Sequence, residues 1–254
     1  ATSSIVINCC VFRQQCVAKG DIYQALDNGQ GSPPHNEDLM DIAIIGAGKV
    51  GGALGARWAA LGHRIHFGVR NPDDPKHDIL RTAPNITVET APEAAARGQV
   101  IVLATPWAAA QDAVRGLGPL GEKPVIDTTN PVGFGAEGVV MAPIDGPSGA
   151  ALIAAAANGG HVVKTLNQVG FNIMARLAAG AAPALMFVAG DSAEAKTVVS
   201  GLVRELGFDA QDAGPLRNAA ALEHLALLWI DHAMRGPHGR DFALSLTPVP
   251  PQQA

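Results

Sequence analysis

The stretch Asp41-Ile-Ala-Ile-Ile-Gly-Ala-Gly-Lys-Val-Gly51 sets the reading of the whole chain. Four apolar residues form a short buried strand, and Gly46-Ala47-Gly48-Lys49-Val50-Gly51 follows at once and opens an Ala-rich helical stretch. That is the context a dinucleotide fingerprint requires. Gly46 permits the tight turn, Gly48 lets backbone approach a pyrophosphate, and Gly51 lets helix and strand pack closely. The helix N-terminus then offers free N–H groups and the positive end of its dipole to phosphate.

Working outward, the rhythm of strand, turn and helix repeats to residue 235. Apolar runs at Ile42 to Ile45, Arg64 to Val69, Val100 to Ala104, Val125 to Asp127, Val162 to Leu166 and Ala184 to Ala189 read as buried parallel strands. Ile86 to Val88 is a weaker one. Helical stretches lie near 49–61, 91–97, 107–117, 149–158, 192–206 and 217–235, with Ser148 and Ser192 placed as N-caps. The expected fold is α/β: a Rossmann-type, doubly wound and mainly parallel sheet with a small C-terminal helical extension.

Composition narrows the function classes. Of 254 residues 48% are hydrophobic and 16% charged, enough for a large core and incompatible with general disorder. Eighteen basic against 23 acidic residues give a net charge of −5, which speaks against a nucleic-acid partner. No apolar run is long enough to span a membrane, and a cytoplasmic location is expected. The cysteines, Cys9, Cys10 and Cys16, all precede Met40, so thiols supply neither disulfides nor a metal cluster to the body. Met40 stands directly before the first strand and reads as a natural start. Residues 1–39 are then a leader outside the core, and 40–254 one dinucleotide-binding domain with its extension.

The end of the second strand selects the dinucleotide. NAD sites usually carry Asp or Glu there, whereas this chain has Gly68-Val69-Arg70-Asn71. A guanidinium in that place can pair with the 2′-phosphate of NADP.

From Met40 to Arg235 the chain resembles the coenzyme F-420-dependent NADP oxidoreductases. The matching motifs are Gly46 to Gly51, Gly68 to Pro72, Ala104-Thr-Pro-Trp107, Asp127-Thr-Thr-Asn-Pro-Val132, Val163-Lys-Thr-Leu-Asn167 and Asp212-Ala-Gly-Pro-Leu-Arg-Asn218. The resemblance implies NADP(H) as cofactor, a deazaflavin such as F-420 or a flavin as second substrate, and often a homodimer. It also implies that Thr105, Pro106, Asn130 and Pro131 line the nicotinamide half of the site, and it makes Trp107 and Asn167 candidates for the acceptor side. Lys164 reads equally well as a strand-end lysine in water.

Hydride transfer between two bound molecules needs proximity and orientation more than an acid or base, so no catalytic side chain stands out. His224 and His232, eight apart on the last helix beside Asp231, lack a third ligand and read as structural, not metal-binding. Two other functions fit the same motifs: an NADPH-dependent reductase of a small carbonyl or imine, and a non-catalytic NADP sensor. The apolar helix carrying Leu222, Leu225, Leu227, Leu228, Trp229 and Ile230 predicts burial on more than one side, by the sheet or by a second subunit.

Overall fold

In the computed structural model, residues 39–136, 138–177 and 184–249 are described. Six strands run parallel: β1 (Asp41–Ile45), β2 (Arg64–Val69), β3 (Ile86–Thr90), β4 (Val100–Leu103), β5 (Pro124–Asp127) and, after a two-stranded hairpin of β6 (Val132–Gly135) and β7 (Gly138–Met141), β8 (His161–Lys164). Two more, β9 (Ala184–Gly190) and β10 (Phe208–Asp212), complete an eight-stranded sheet in the order β10-β9-β8-β5-β4-β1-β2-β3. The parallel part has the doubly wound Rossmann order, with its switch between β1 and β4.

Strand β1 shows why both faces are covered. Ile42 and Ile44 enter one apolar cluster with Leu54, Trp58 and Phe67, while Ala43 and Ile45 enter another with Ile101, Leu103 and Val114. Helices α1 (Lys49–Ala60), α5 (Phe171–Arg176) and α6 (Ala193–Glu205) supply the first cluster. Helices α2 (Ala91–Arg97), α3 (Trp107–Arg115) and α4 (Gly149–Ala156) supply the second. The indole N–H of Trp58 donates to the Leu202 carbonyl at 3.2 Å, tying α1 to α6. Ser148 and Ser192 cap α4 and α6, accepting from Ala151 N and Ala195 N. The last helix, α7 (Ala219–Arg235), lies against α4 and the hairpin strand β7.

Four features depart from the sequence expectation. Strand β9 pairs antiparallel with β8, so the chain re-enters the sheet at the end where β8 leaves it. Strand β10 is polar at alternate positions and has no apolar run to betray it. The hairpin β6–β7 and the six-residue α5 are too short for periodicity to register. The expected strand at Val162 to Leu166 stops at Lys164, and Leu166 takes φ +56°, a left-handed conformation a branched side chain adopts only when its surroundings enforce it. The reading of residues 1–39 as a leader falls, Leu39 apart, outside the described residues.

Candidate functional site

The carboxyl ends of β1, β2 and β4 converge on one glycine. Gly46 has φ +107°, its N–H donates to the Gly68 carbonyl at 2.9 Å, and a Cβ there would lie 2.7 Å from the Ala104 carbonyl oxygen. A Cβ on Gly51 would lie 2.0 Å from the Gly46 carbonyl oxygen. Gly48 is different: it is exposed, and nothing stands within 4 Å of where its Cβ would be. The protein gives no packing reason for a glycine at 48, whereas a ligand crossing the turn would.

Helix α1 begins at Lys49 with no side-chain cap, so its first N–H groups face outward over this opening. Ala47 and Val50 are half-buried and pack against the core, and the Lys49 ammonium sits 5.4 Å from the ring centre of Phe171. Arg70 and Asn71 are exposed just beyond β2. Among the described residues the Arg70 guanidinium makes no ion pair and no hydrogen bond, unlike Arg64, Arg81 and Arg97, which are paired.

The loops after β4 and β5 form the other half. Thr105 Oγ1 is buried with no partner among the described residues, beside the Gly46 turn, and its Cγ2 would lie 3.4 Å from a Cβ at Gly46. Pro106 is exposed and precedes α3. Thr128 Oγ1 donates to the Leu103 carbonyl at 2.9 Å, joining the β5 loop to β4. Pro131 is buried. The residues present therefore fit a dinucleotide: an open glycine turn, an uncapped helix end, an orphaned hydroxyl and a free guanidinium lie along one edge of the sheet.

The structure gives Lys164, Asn167 and Trp107 definite surroundings. Lys164 is not in water. It is fully buried, with its ammonium 2.9 Å from Asp127 Oδ2 and 3.3 Å from Glu223 Oε1, and it also donates to the Thr129 carbonyl. Asn167, expected to face an acceptor, is 4% exposed and has both amide hydrogens committed, to Asn130 Oδ1 at 3.0 Å and to the Leu222 carbonyl at 3.1 Å. Asn130 answers by donating to the Asn167 carbonyl at 2.8 Å, so the two asparagines brace the β5 and β8 loops against each other. Trp107 is half-buried with its ring edge against Gly149, at the start of α4.

The sequence reading missed Asp127, Thr129, Gln168 and Glu223 as one buried polar group. Asp127 Oδ1 accepts from Thr129 N at 2.9 Å and Thr129 Oγ1 at 2.7 Å. Glu223 accepts from Gly149 N and Ala150 N, both at 3.0 Å, and so caps α4 from α7. The Gln168 amide pairs with both polar groups of the Phe187 backbone. The available signal was a charge closing each of two apolar runs, Val-Ile-Asp127 and Val-Val-Lys164, which lie in register on adjacent strands.

His224 and His232 are exposed; His224 Nδ1 lies 2.7 Å from the Ala220 carbonyl, and the His232 ring stands edge-on to Phe242. Among the described residues no group of three His, Cys, Asp or Glu could hold a metal ion, and no helix is long and apolar enough to cross a membrane.

Residues 41–131 match the family described as NADP oxidoreductase, coenzyme F420-dependent. The family resemblance read from the sequence over Met40 to Arg235 is thus matched within residues 41–131. The matched span runs from β1 through the loop after β5 and contains Gly46 to Gly51, Arg70, Thr105 and Asn130; Lys164 and Glu223 lie beyond it.

Among solved structures, the chain is similar to a protein of Arthrobacter sp. FB24 provisionally named an F420-dependent NADP-reductase. The two are 29% identical over 76% of this chain and 93% of that one, with a TM-score of 0.69. A hypothetical protein of Sinorhizobium meliloti is 26% identical over 71% and 88%, with a TM-score of 0.62. A reductive aminase of Aspergillus terreus, solved with NADPH and ethyl levulinate, is 20% identical over 77% of this chain and 62% of that one, with a TM-score of 0.55. At that identity the likeness is one of fold.

Proposed function

We propose that the protein is an NADP(H)-dependent oxidoreductase that passes a hydride between NADP(H) and a second bound cofactor or small acceptor, a deazaflavin of the F420 type being the first candidate. One observation carries the reading: the exposed and unpaired Arg70 guanidinium ends β2 on the same sheet edge as the open Gly48 and the uncapped α1 N-terminus. In this reading α1 and Gly48 hold the pyrophosphate, Arg70 and Asn71 the 2′-phosphate end, and Thr105, Pro106, Asn130 and Pro131 border the nicotinamide. NADPH supplies the hydride; the chain supplies binding, orientation and exclusion of water. The F420-dependent family name supports the deazaflavin, and the fold likeness to a reductive aminase keeps a carbonyl or imine acceptor in the test.

The experiment is NADPH oxidation followed at the nicotinamide absorbance with F420, free flavins, ferric chelates and small carbonyl–amine pairs as acceptors. Turnover with F420 alone supports the first candidate. Turnover only with carbonyls or imines replaces it, and NADPH binding without turnover on any acceptor makes the protein a sensor.

The same reading includes a cytoplasmic location and a homodimer. Leu228 on α7 is 65% exposed, and the hairpin beside it exposes Phe134 at 75% and Val140 at 45%. Large apolar groups on two adjoining elements are what a subunit contact would cover.

A further inference from the structure

We propose that Lys164 is a positioning residue for the nicotinamide half of the site, acting through Thr129. The inference rests on the NADP(H) reading above and adds to it a residue outside the cofactor-facing loops.

Asp127 and Lys164 are register partners on β5 and β8, and both are fully buried. The ammonium donates to Asp127 Oδ2 and to the Thr129 carbonyl, and Glu223 Oε1 lies 3.3 Å away as a second counter-ion. The other oxygen of Asp127 takes the Thr129 N–H and hydroxyl. Every polar group of Thr129 is therefore held by one ion pair, in two directions at once. The next residue, Asn130, is locked to Asn167. The loop beyond β5 is consequently fixed in orientation, and Thr128 joins it to β4 through the Leu103 carbonyl.

A role in stability alone is a weak explanation. Apolar side chains of the same volume generally serve a buried position at least as well as an ion pair does. What they could not do is grip the carbonyl, N–H and hydroxyl of one residue together. The trio carries one positive and two negative charges, and the excess falls on Glu223, which is met by the N–H groups and positive end of α4. The pair Lys164–Asp127 is thus free to serve the loop. A nicotinamide ring must be presented with its reacting carbon toward the acceptor, and a misplacement of about 1 Å costs about a hundredfold in rate.

The test compares two ligands of the full chain by titration calorimetry: NADPH, and 2′,5′-ADP, which keeps the adenosine half and lacks the nicotinamide. In K164M/D127N cation and counter-ion leave together while Glu223 keeps its helix partners. Its affinity for 2′,5′-ADP should stay within about threefold of wild type, while its preference for NADPH over 2′,5′-ADP falls by about tenfold or more. T129V removes only the hydroxyl and should move the same ratio by about threefold, which keeps the proposal testable if the double variant does not fold. A folded variant with the wild-type ratio overturns the proposal, as does parallel loss of both ligands. Wild-type protein that binds 2′,5′-ADP with no preference for NADPH overturns it while leaving the dinucleotide reading intact; wild-type protein that binds neither overturns both.

Discussion

The Cα of Gly51 rests on the carbonyl of Gly46, so closely that a Cβ would stand 2.0 Å from that oxygen. Gly48, three residues away, meets nothing. Two glycines of one motif thus answer to different demands, the first to the protein's own packing and the second to whatever lies across the turn. Gly51→Ala should therefore lower stability by about 3 kcal/mol, because backbone must move to admit the methyl. Gly48 has φ −79° and ψ −163°, extended backbone with open space at its Cβ, so Gly48→Val should cost no more than about 1 kcal/mol, that of a poorer N-cap, while weakening NADPH and NADH alike. Thermal melts and titrations of the two variants check both halves; a Gly48→Val protein with normal binding removes the ligand from this turn.

Glu223 is the buried charged residue of α7 and serves two helix N–H groups and Lys164. Glu223→Ala strands all three partners and should cost about 3 kcal/mol in urea unfolding. A loss below about 1 kcal/mol would show that water replaces the carboxylate without penalty.

Asp41 opens β1 with its carboxylate between Arg64 and His66. The hydrogen bond from Arg64 is the largest cause holding its pKa at about 2, below the ordinary 3.8. The folded value is depressed, so the stabilisation is complete above about pH 4 and is lost as pH falls through about 2. Arg64 is 56% exposed and solvent screens the pair, so its contribution at neutral pH is small. Asp41→Asn should remove that small contribution at pH 7 and flatten the stability curve between pH 4 and 2. An unchanged slope would mean that other carboxylates govern acid unfolding.

Light scattering at micromolar concentration should give twice the chain mass. Leu228→Lys, on an exposed position, should give the single mass with the chain still folded and its melting temperature lowered only by the lost association. A wild-type monomer removes the second copy from this face.

The parallel sheet was legible because its strands are buried on both faces and appear as unbroken apolar runs; Val-Ile-Val-Leu103 could hardly be anything else. The turn Gly46 to Gly51 was legible because its glycine spacing lies within six residues directly after an apolar run. The Lys164–Asp127–Glu223 group was not, since it joins residues 37 and more positions apart and exists only once β5 and β8 are neighbours. Asn167 shows the same limit from the other side. Its place after β8 suggested a ligand contact, and nothing in the sequence marks its hydrogen bonds to Asn130 and Leu222. Strand β9 looked parallel because an apolar run carries no direction.

The preference between NADPH and NADH tests the account most directly. If Arg70 holds the 2′-phosphate, NADPH binds more tightly by about 1.5–3 kcal/mol, roughly ten- to a hundredfold in Kd. Arg70→Ala should erase most of that difference and leave NADH affinity where it was, because NADH has no phosphate there to lose. Titration of both cofactors into both proteins decides it. Equal affinities in the wild-type protein, or a ratio untouched by Arg70→Ala, would contradict the assignment of this edge of the sheet to NADP(H).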